Sequence, residues 1–118
     1  IIKKYIKMDE RPWGKYFVIE DHKDYKIKRI EVEKGESLSY QYHNKRSEVW
    51  VIIQGTGKVI IDDLQKDFKK DDVIQIRKGS KHRILNDGKE QVVLIEVQTG
   101  TYFGEDDIVR IQDDYNRV

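Results

Sequence analysis

The residues with the clearest chemical potential in this chain fall in two short stretches, QYHNKRSEVW (Gln41 to Trp50) and GSKHRILN (Gly79 to Asn86). Between them they hold two of the three histidines, a glutamine and a glutamate. Two neutral imidazoles and a carboxylate are ordinary ligands for a borderline divalent ion such as Zn²⁺, and a glutamine carbonyl oxygen is a further, weaker one. Three or four such ligands leave positions open for water or substrate oxygens, as in a catalytic centre and unlike a closed structural one. A plainer reading stands beside this. His43 and His82 could be satisfied polar groups at a barrel mouth, Glu48 a solvated strand-start charge, and Gln41 either. His22, in EDHKDY, reads as an exposed turn.

Meeting at one point requires elements that bring the two stretches together. Period-two alternation and short β-branched runs dominate the chain. They predict strands over Lys15 to Glu20, Tyr25 to Glu33, Leu38 to Tyr42, Glu48 to Gln54, Lys58 to Asp62, Asp72 to Arg77, His82 to Asn86 and Gln91 to Gln98. Turn signals separate them at EDHKD, EKGE, QGTG, KKDD, RKGS and NDGK. QGTG lacks the Lys-Ser/Thr and the helix of a phosphate loop and reads as a hairpin turn. No amphipathic helix is expected beyond a turn or two in GEDDIVRIQDDY. Strands at this spacing suggest a sandwich or barrel. Residues two apart share a face, so Gln41 looks the same way as His43. Arg46 looks the same way as Glu48, Trp50 and Ile52, and Arg83 faces away from His82.

Composition bounds the classes. The 118 residues suit one domain with a modest core. Apolar residues make up 37% and charged residues 38%, with a mean hydropathy of −0.79. The net charge of +1, from 23 basic and 22 acidic groups, leaves no footprint for nucleic acid or an anionic membrane. There are no cysteines, which excludes disulfides, thiolate metal sites and cysteine catalysis. No apolar run reaches the roughly 20 residues of a membrane span, and cytoplasm is the expected location. The start at Ile1 suggests a piece of a longer product. Residues 1–10 are expected as an extension, linker tail or extra strand, and residues 11–118 as the folded domain.

The spacing carries a resemblance. From Gly35, five residues lead to Gln41, one more to His43, four to Glu48 and six to Gly55; from Gly79, two lead to His82 and three to Asn86. These resemble the two signature motifs of the cupin superfamily, with Gln41 where the first histidine usually stands. The implied fold is all-β, the cupin double-stranded β-helix or jelly-roll barrel. RPWGKYFVIE, YKIKRIEVEKGESLSYQYHNKRSEVWVIIQGTGKV and LIEVQTGTYFGEDDIVRIQDDY resemble the isomerase domain of type II mannose-6-phosphate isomerases. In many relatives that domain follows a mannose-1-phosphate guanylyltransferase domain.

That resemblance implies a metal held by Gln41, His43, Glu48 and His82, with Zn²⁺ the first candidate and Mn, Co, Ni or Fe the others. It implies interconversion of mannose 6-phosphate and fructose 6-phosphate, in supply of GDP-mannose for polysaccharides. Arg46, with Lys45 or Arg83, is expected on the substrate phosphate, and Lys81 and Glu105 are candidates for the proton-transferring group. A homodimer, and fusion to or association with a guanylyltransferase domain, are further expectations. The departures are Lys45 and Val49 where the family commonly has histidines, Asp71 where it has glycine and Arg77 where it has proline. They leave open a non-catalytic sugar- or sugar-nucleotide-binding module. A metal-dependent oxygenase and an isomerase of nucleotide-linked sugars are the remaining readings, because fold alone does not fix chemistry.

Overall fold

Alternation along the chain produces two facing antiparallel sheets in the computed structural model, which describes residues 4–115. The strands are β1 (Lys7–Arg11), β2 (Gly14–Asp21), β3 (Tyr25–Val32), β4 (Tyr40–Tyr42), β5 (Arg46–Gln54), β6 (Gly57–Ile61), β7 (Leu64–Phe68), β8 (Val73–Ile76), β9 (His82–Leu85), β10 (Val92–Gly100) and β11 (Val109–Gln112). One sheet runs β1-β2-β3-β10-β5-β8 and the other β11-β4-β9-β6-β7. From β3 onward each connection crosses to the opposite sheet, except the β6–β7 hairpin. This is the expected jelly-roll double-stranded β-helix. Among the described residues no helix is long and apolar enough to cross a membrane.

Several local expectations need correction. QGTG is not a hairpin turn. It carries the chain from β5 in one sheet to β6 in the other, with Gly55 at φ +94°. The true hairpin lies at Asp62–Asp63, both at positive φ, as a two-residue turn matched to strand twist requires. It leads into β7, which the alternation did not announce because four of its five residues are exposed. The segment GEDDIVRIQDDY gives one 3-10 turn, Glu105–Asp107, and then β11 instead of further helix. Within residues 1–10, Lys7–Glu10 belong to β1, an added edge strand that extends to Arg11, and residues 1–3 lie outside the described residues.

The interior is divided along its length. On β5 the inward residues run Arg46, Glu48, Trp50, Ile52, and on β10 they run Gln98, Glu96, Leu94, Val92, all buried. On β3 they run Lys28, Ile30, Val32, again buried, and on β9 His82 precedes Ile84. Each stripe is polar at one end of the barrel and apolar at the other. The apolar end, with Val59 and Phe68, supplies burial at about 25 cal/mol per Å². The polar end is where chemistry can sit.

Glycine is required where backbone closes on that polar end. Gly100, at φ +152°, pairs with Arg46, and a Cβ there would lie 2.2 Å from Lys45 O. Gly79 sits at φ +81° and donates its N–H to His43 O at 2.7 Å, which ties the two sequence motifs together through main chain. Replacing Gly100 with Ala should cost about 2 kcal/mol or more through forced backbone movement. A thermal melt should therefore fall by roughly 8 °C or more, and an unchanged melting temperature would show that the close approach is not a constraint.

Candidate metal centre

The centre is built across the two sheets. Gln41 comes from β4 and sits directly opposite His82 on β9. Arg46 and Glu48 come from β5 in the facing sheet. His43 lies in the β4–β5 connection, where the chain changes sheets. The crossover topology is thus what makes residues only seven apart face each other across the barrel.

The two imidazoles are oriented by main chain. His43 Nδ1 lies 3.0 Å from Asp107 O, and His82 Nδ1 lies 3.0 Å from Ser80 O. A carbonyl oxygen only accepts, so Nδ1 carries the proton in each and the lone pair of the neutral ring is on Nε2. Both Nε2 atoms face Glu48, at 3.3 Å from Oε2 for His43 and 3.8 Å from Oε1 for His82. Two ligand atoms about 2.1 Å from one tetrahedral ion lie roughly 3.4 Å apart. The three ligand atoms fall within 4.8 Å of one another. His82 Nε2 is buried with no hydrogen-bond partner, an arrangement that is unfavourable unless something accepts its lone pair. Donor set, spacing and this orphaned nitrogen all fit a divalent ion. Gln41 lines the same cavity, and its Oε1 accepts from Ser39 Oγ at 3.1 Å.

A protein cation already stands beside these ligands. Arg46 Nε donates to Glu48 Oε2 at 2.9 Å, and its Nη2 lies 3.3 Å from His43 Nε2. Burial pushes the His43 imidazole down to about 4, with Glu48 opposing and Arg46 reinforcing the shift, so it is neutral and available as a ligand at pH 7. Burial also pushes Glu48 up, but its electrostatic interactions with His82, Arg46 and His43 outweigh this and hold it well below the ordinary carboxylate range. Glu96 responds oppositely. Burial and the neighbouring Glu48 charge raise it to about 8, as expected of two close carboxyls of which one ionises. Trp50 Nε1 donates to both, at 3.1 Å to Glu48 Oε1 and 3.2 Å to Glu96 Oε2. Gln98 fixes the other Glu96 oxygen at 2.6 Å.

The remaining residues singled out in the sequence divide clearly. Glu105 lines the cavity with Arg46, Glu48 and Glu96. Lys81 does not; its Nζ pairs with Asp63 at 3.0 Å and lies over the Tyr40 ring. Lys45 is exposed, with Nζ 5.1 Å from the Tyr102 ring centre. Arg83 is buried but faces away, bonded to Leu38 O at 2.8 Å and paired with Asp114 at 2.8 Å. Sequence reasoning missed Lys28, Glu96 and Asp107. Asp107 accepts the backbone N–H groups of Asn44 and Lys45 at 3.2 and 2.9 Å and holds the loop that carries His43. The departures at Lys45 and Val49 fall on exposed positions, and Asp71 adopts φ +76°, the conformation a glycine would take freely.

Comparison with known proteins identifies the family and the fold. Residues 3–113 match the family model described as "Mannose-6-phosphate isomerase C-terminal". The chain is 47% identical over 108 residues to a mannose-1-phosphate guanylyltransferase of Escherichia coli (strain K12), covering 92% of this chain and 23% of that protein. It is 40% identical over 108 residues to the alginate biosynthesis protein AlgA of Pseudomonas aeruginosa, with 92% and 22% covered. It therefore spans under a quarter of the length of these relatives. Among solved structures, the Cnp3 cupin domain of Schizosaccharomyces pombe superposes with a TM-score of 0.70 at 18% identity, over 80% of this chain and 69% of that one. A cupin barrel that matches this model over nearly its whole length belongs to the mannose-6-phosphate isomerase C-terminal family.

Proposed function

We propose that the chain is a metal-dependent aldose–ketose isomerase acting on mannose 6-phosphate and fructose 6-phosphate, as one domain of a protein that also carries a guanylyltransferase domain. The observation that carries this reading is the His43–Glu48–His82 cluster, buried at the polar end of a barrel of this family. Gln41, His43, Glu48 and His82 would hold the ion, Zn²⁺ being the first candidate for two imidazoles and a carboxylate. Such an ion supplies Lewis-acid stabilisation of negative charge developing on the sugar oxygens.

The rest of the reaction falls to side chains. Moving hydrogen between C2 and C1 through an enediol needs a group that takes a proton from one carbon and returns it to the other. Of the carboxyls lining the cavity, Glu48 is taken by the metal and Glu105 is tied to Lys28; Glu96 is left, fixed on both oxygens by Trp50 and Gln98 and 4% exposed. We assign it the proton transfer. Arg46 reaches from Glu48 toward the outer part of the cavity and is the group placed to hold anionic substrate.

A second reading has its own observation. The cavity is about 40 Å³, room for a few waters at about 10–15 Å³ each and too small for a hexose phosphate without side-chain movement. A non-catalytic module that accompanies a guanylyltransferase and binds its sugar outside this cavity would need no such opening. An isomerase assay with fructose 6-phosphate and added Zn²⁺, Mn²⁺ or Co²⁺ separates the two, and a metal-saturated protein without turnover would leave the binding module standing.

Two variants test the assignments. His82→Ala should weaken metal binding by at least about 100-fold and lose activity in parallel, read by titration of metal-stripped protein. Glu96→Gln should keep the metal and lower kcat by about 100-fold or more. Metal-independent activity in the first, or full kcat in the second, would contradict the mechanism.

A further inference from the structure

Outward of the metal ligands, two cations converge on one carboxylate. Lys28 Nζ lies 3.2 Å from Glu105 Oε2, and Arg46 Nη1 lies 3.5 Å from the same oxygen. Both cationic side chains are 4% exposed, whereas Glu105 is 34% exposed. Arg11 joins this end of the barrel, donating to Tyr16 Oη at 3.2 Å and pairing with Asp9 at 3.3 Å. The Tyr16 ring also lies under Lys28 Nζ, 4.3 Å from its centre.

A buried ammonium is strongly unfavourable unless an anion compensates it. Arg46 has the fixed Glu48 and Arg11 has Asp9. Lys28 is paired with Glu105, which is carried by a three-residue turn at the cavity mouth. Burial pushes the Glu105 carboxyl up, but Lys28 and Arg46 outweigh it and hold it below its usual value. The buried Lys28 ammonium is therefore satisfied by an anion whose own side chain is partly exposed.

We infer that Lys28, Arg46 and Arg11 form the subsite for the phosphate group of the substrate, and that the Glu105 carboxylate occupies it as an internal anion until phosphate replaces it. The inference rests on the sugar-phosphate reading above. Arg46 offers a planar fork and Lys28 a point charge, the usual pairing on a phosphoryl group. Rotation of Glu105 outward also enlarges a cavity otherwise too small for the substrate. Of the three cations expected from sequence on the phosphate, Arg46 alone belongs to this subsite; Lys45 and Arg83 point elsewhere.

Calorimetric titration of the full chain with inorganic phosphate tests the inference without turnover. Removing the internal competitor by Glu105→Gln should tighten phosphate binding about tenfold, Lys28→Met should weaken it about tenfold or more, and Lys45→Met should leave it unchanged. Should Lys28→Met fail to fold, Glu105→Gln decides alone, because it is isosteric and on a partly exposed side chain. Weaker, unchanged or undetectable phosphate binding in Glu105→Gln overturns the inference, and so does a loss in Lys45→Met equal to that in Lys28→Met. An isomerase assay on the same preparations keeps the two claims apart. Intact phosphate behaviour without turnover sinks the isomerase reading alone, and turnover without that behaviour sinks the subsite alone.

Discussion

A carboxylate at the centre of a barrel must be compensated on every side, and much of this molecule is arranged around that requirement for Glu48. It is 2% exposed, where an unpaired charge would cost several kcal/mol. Arg46 and Trp50 donate to its two oxygens, and the Nε2 lone pairs of His43 and His82 face it, an arrangement that a cation between them would satisfy. The consequences spread outward. Glu96, sharing Trp50 with Glu48, is driven toward its neutral form. Arg46, committed to Glu48, brings a guanidinium to the mouth, where Glu105 and Lys28 complete the charge balance. Polar and apolar halves of the core separate because each charge needs its partners close by.

The same constraint explains why the fold and the site are inseparable. Glu48 and its two histidines come from elements that alternate between sheets. The β4–β5 loop that carries His43 is held from below by Gly79 and from above by Asp107. The carboxy-terminal turn thus anchors a ligand loop with one residue, Asp107, and covers the cavity with another, Glu105. The carboxy-terminal segment is part of the site wall.

Much of this was legible in the sequence, for a physical reason. Strand parity is local, so the shared face of Arg46, Glu48, Trp50 and Ile52 and the opposite face of Arg83 could be read directly. Ligand chemistry and spacing pointed to Gln41, His43, Glu48 and His82, which the structure gathers at one cavity or cluster. What could not be read depends on distant partners. Lys28 sits in YKIKRI, where alternating lysines look solvated; only the arrival of Glu105, 77 residues later, makes it an interior cation. Lys81 follows Gly79 and precedes a ligand, yet the hairpin at Asp63 draws it outside. β7 was invisible because an edge strand exposed on both faces carries no hydrophobic period. QGTG has the composition of a hairpin, and only the pairing of β5 and β6 with different partners shows that it turns a corner between sheets.

A divalent ion at this centre would share Glu48 with Arg46 and displace it from the His43 lone pair. Crystals of zinc-saturated protein, with anomalous scattering recorded at the zinc edge, address this directly. One peak is expected within bonding distance of His43 Nε2, Glu48 and His82 Nε2, with the Arg46 guanidinium no longer on the His43 lone pair. Zinc bound elsewhere, with Arg46 still seated on His43 at saturation, would contradict this.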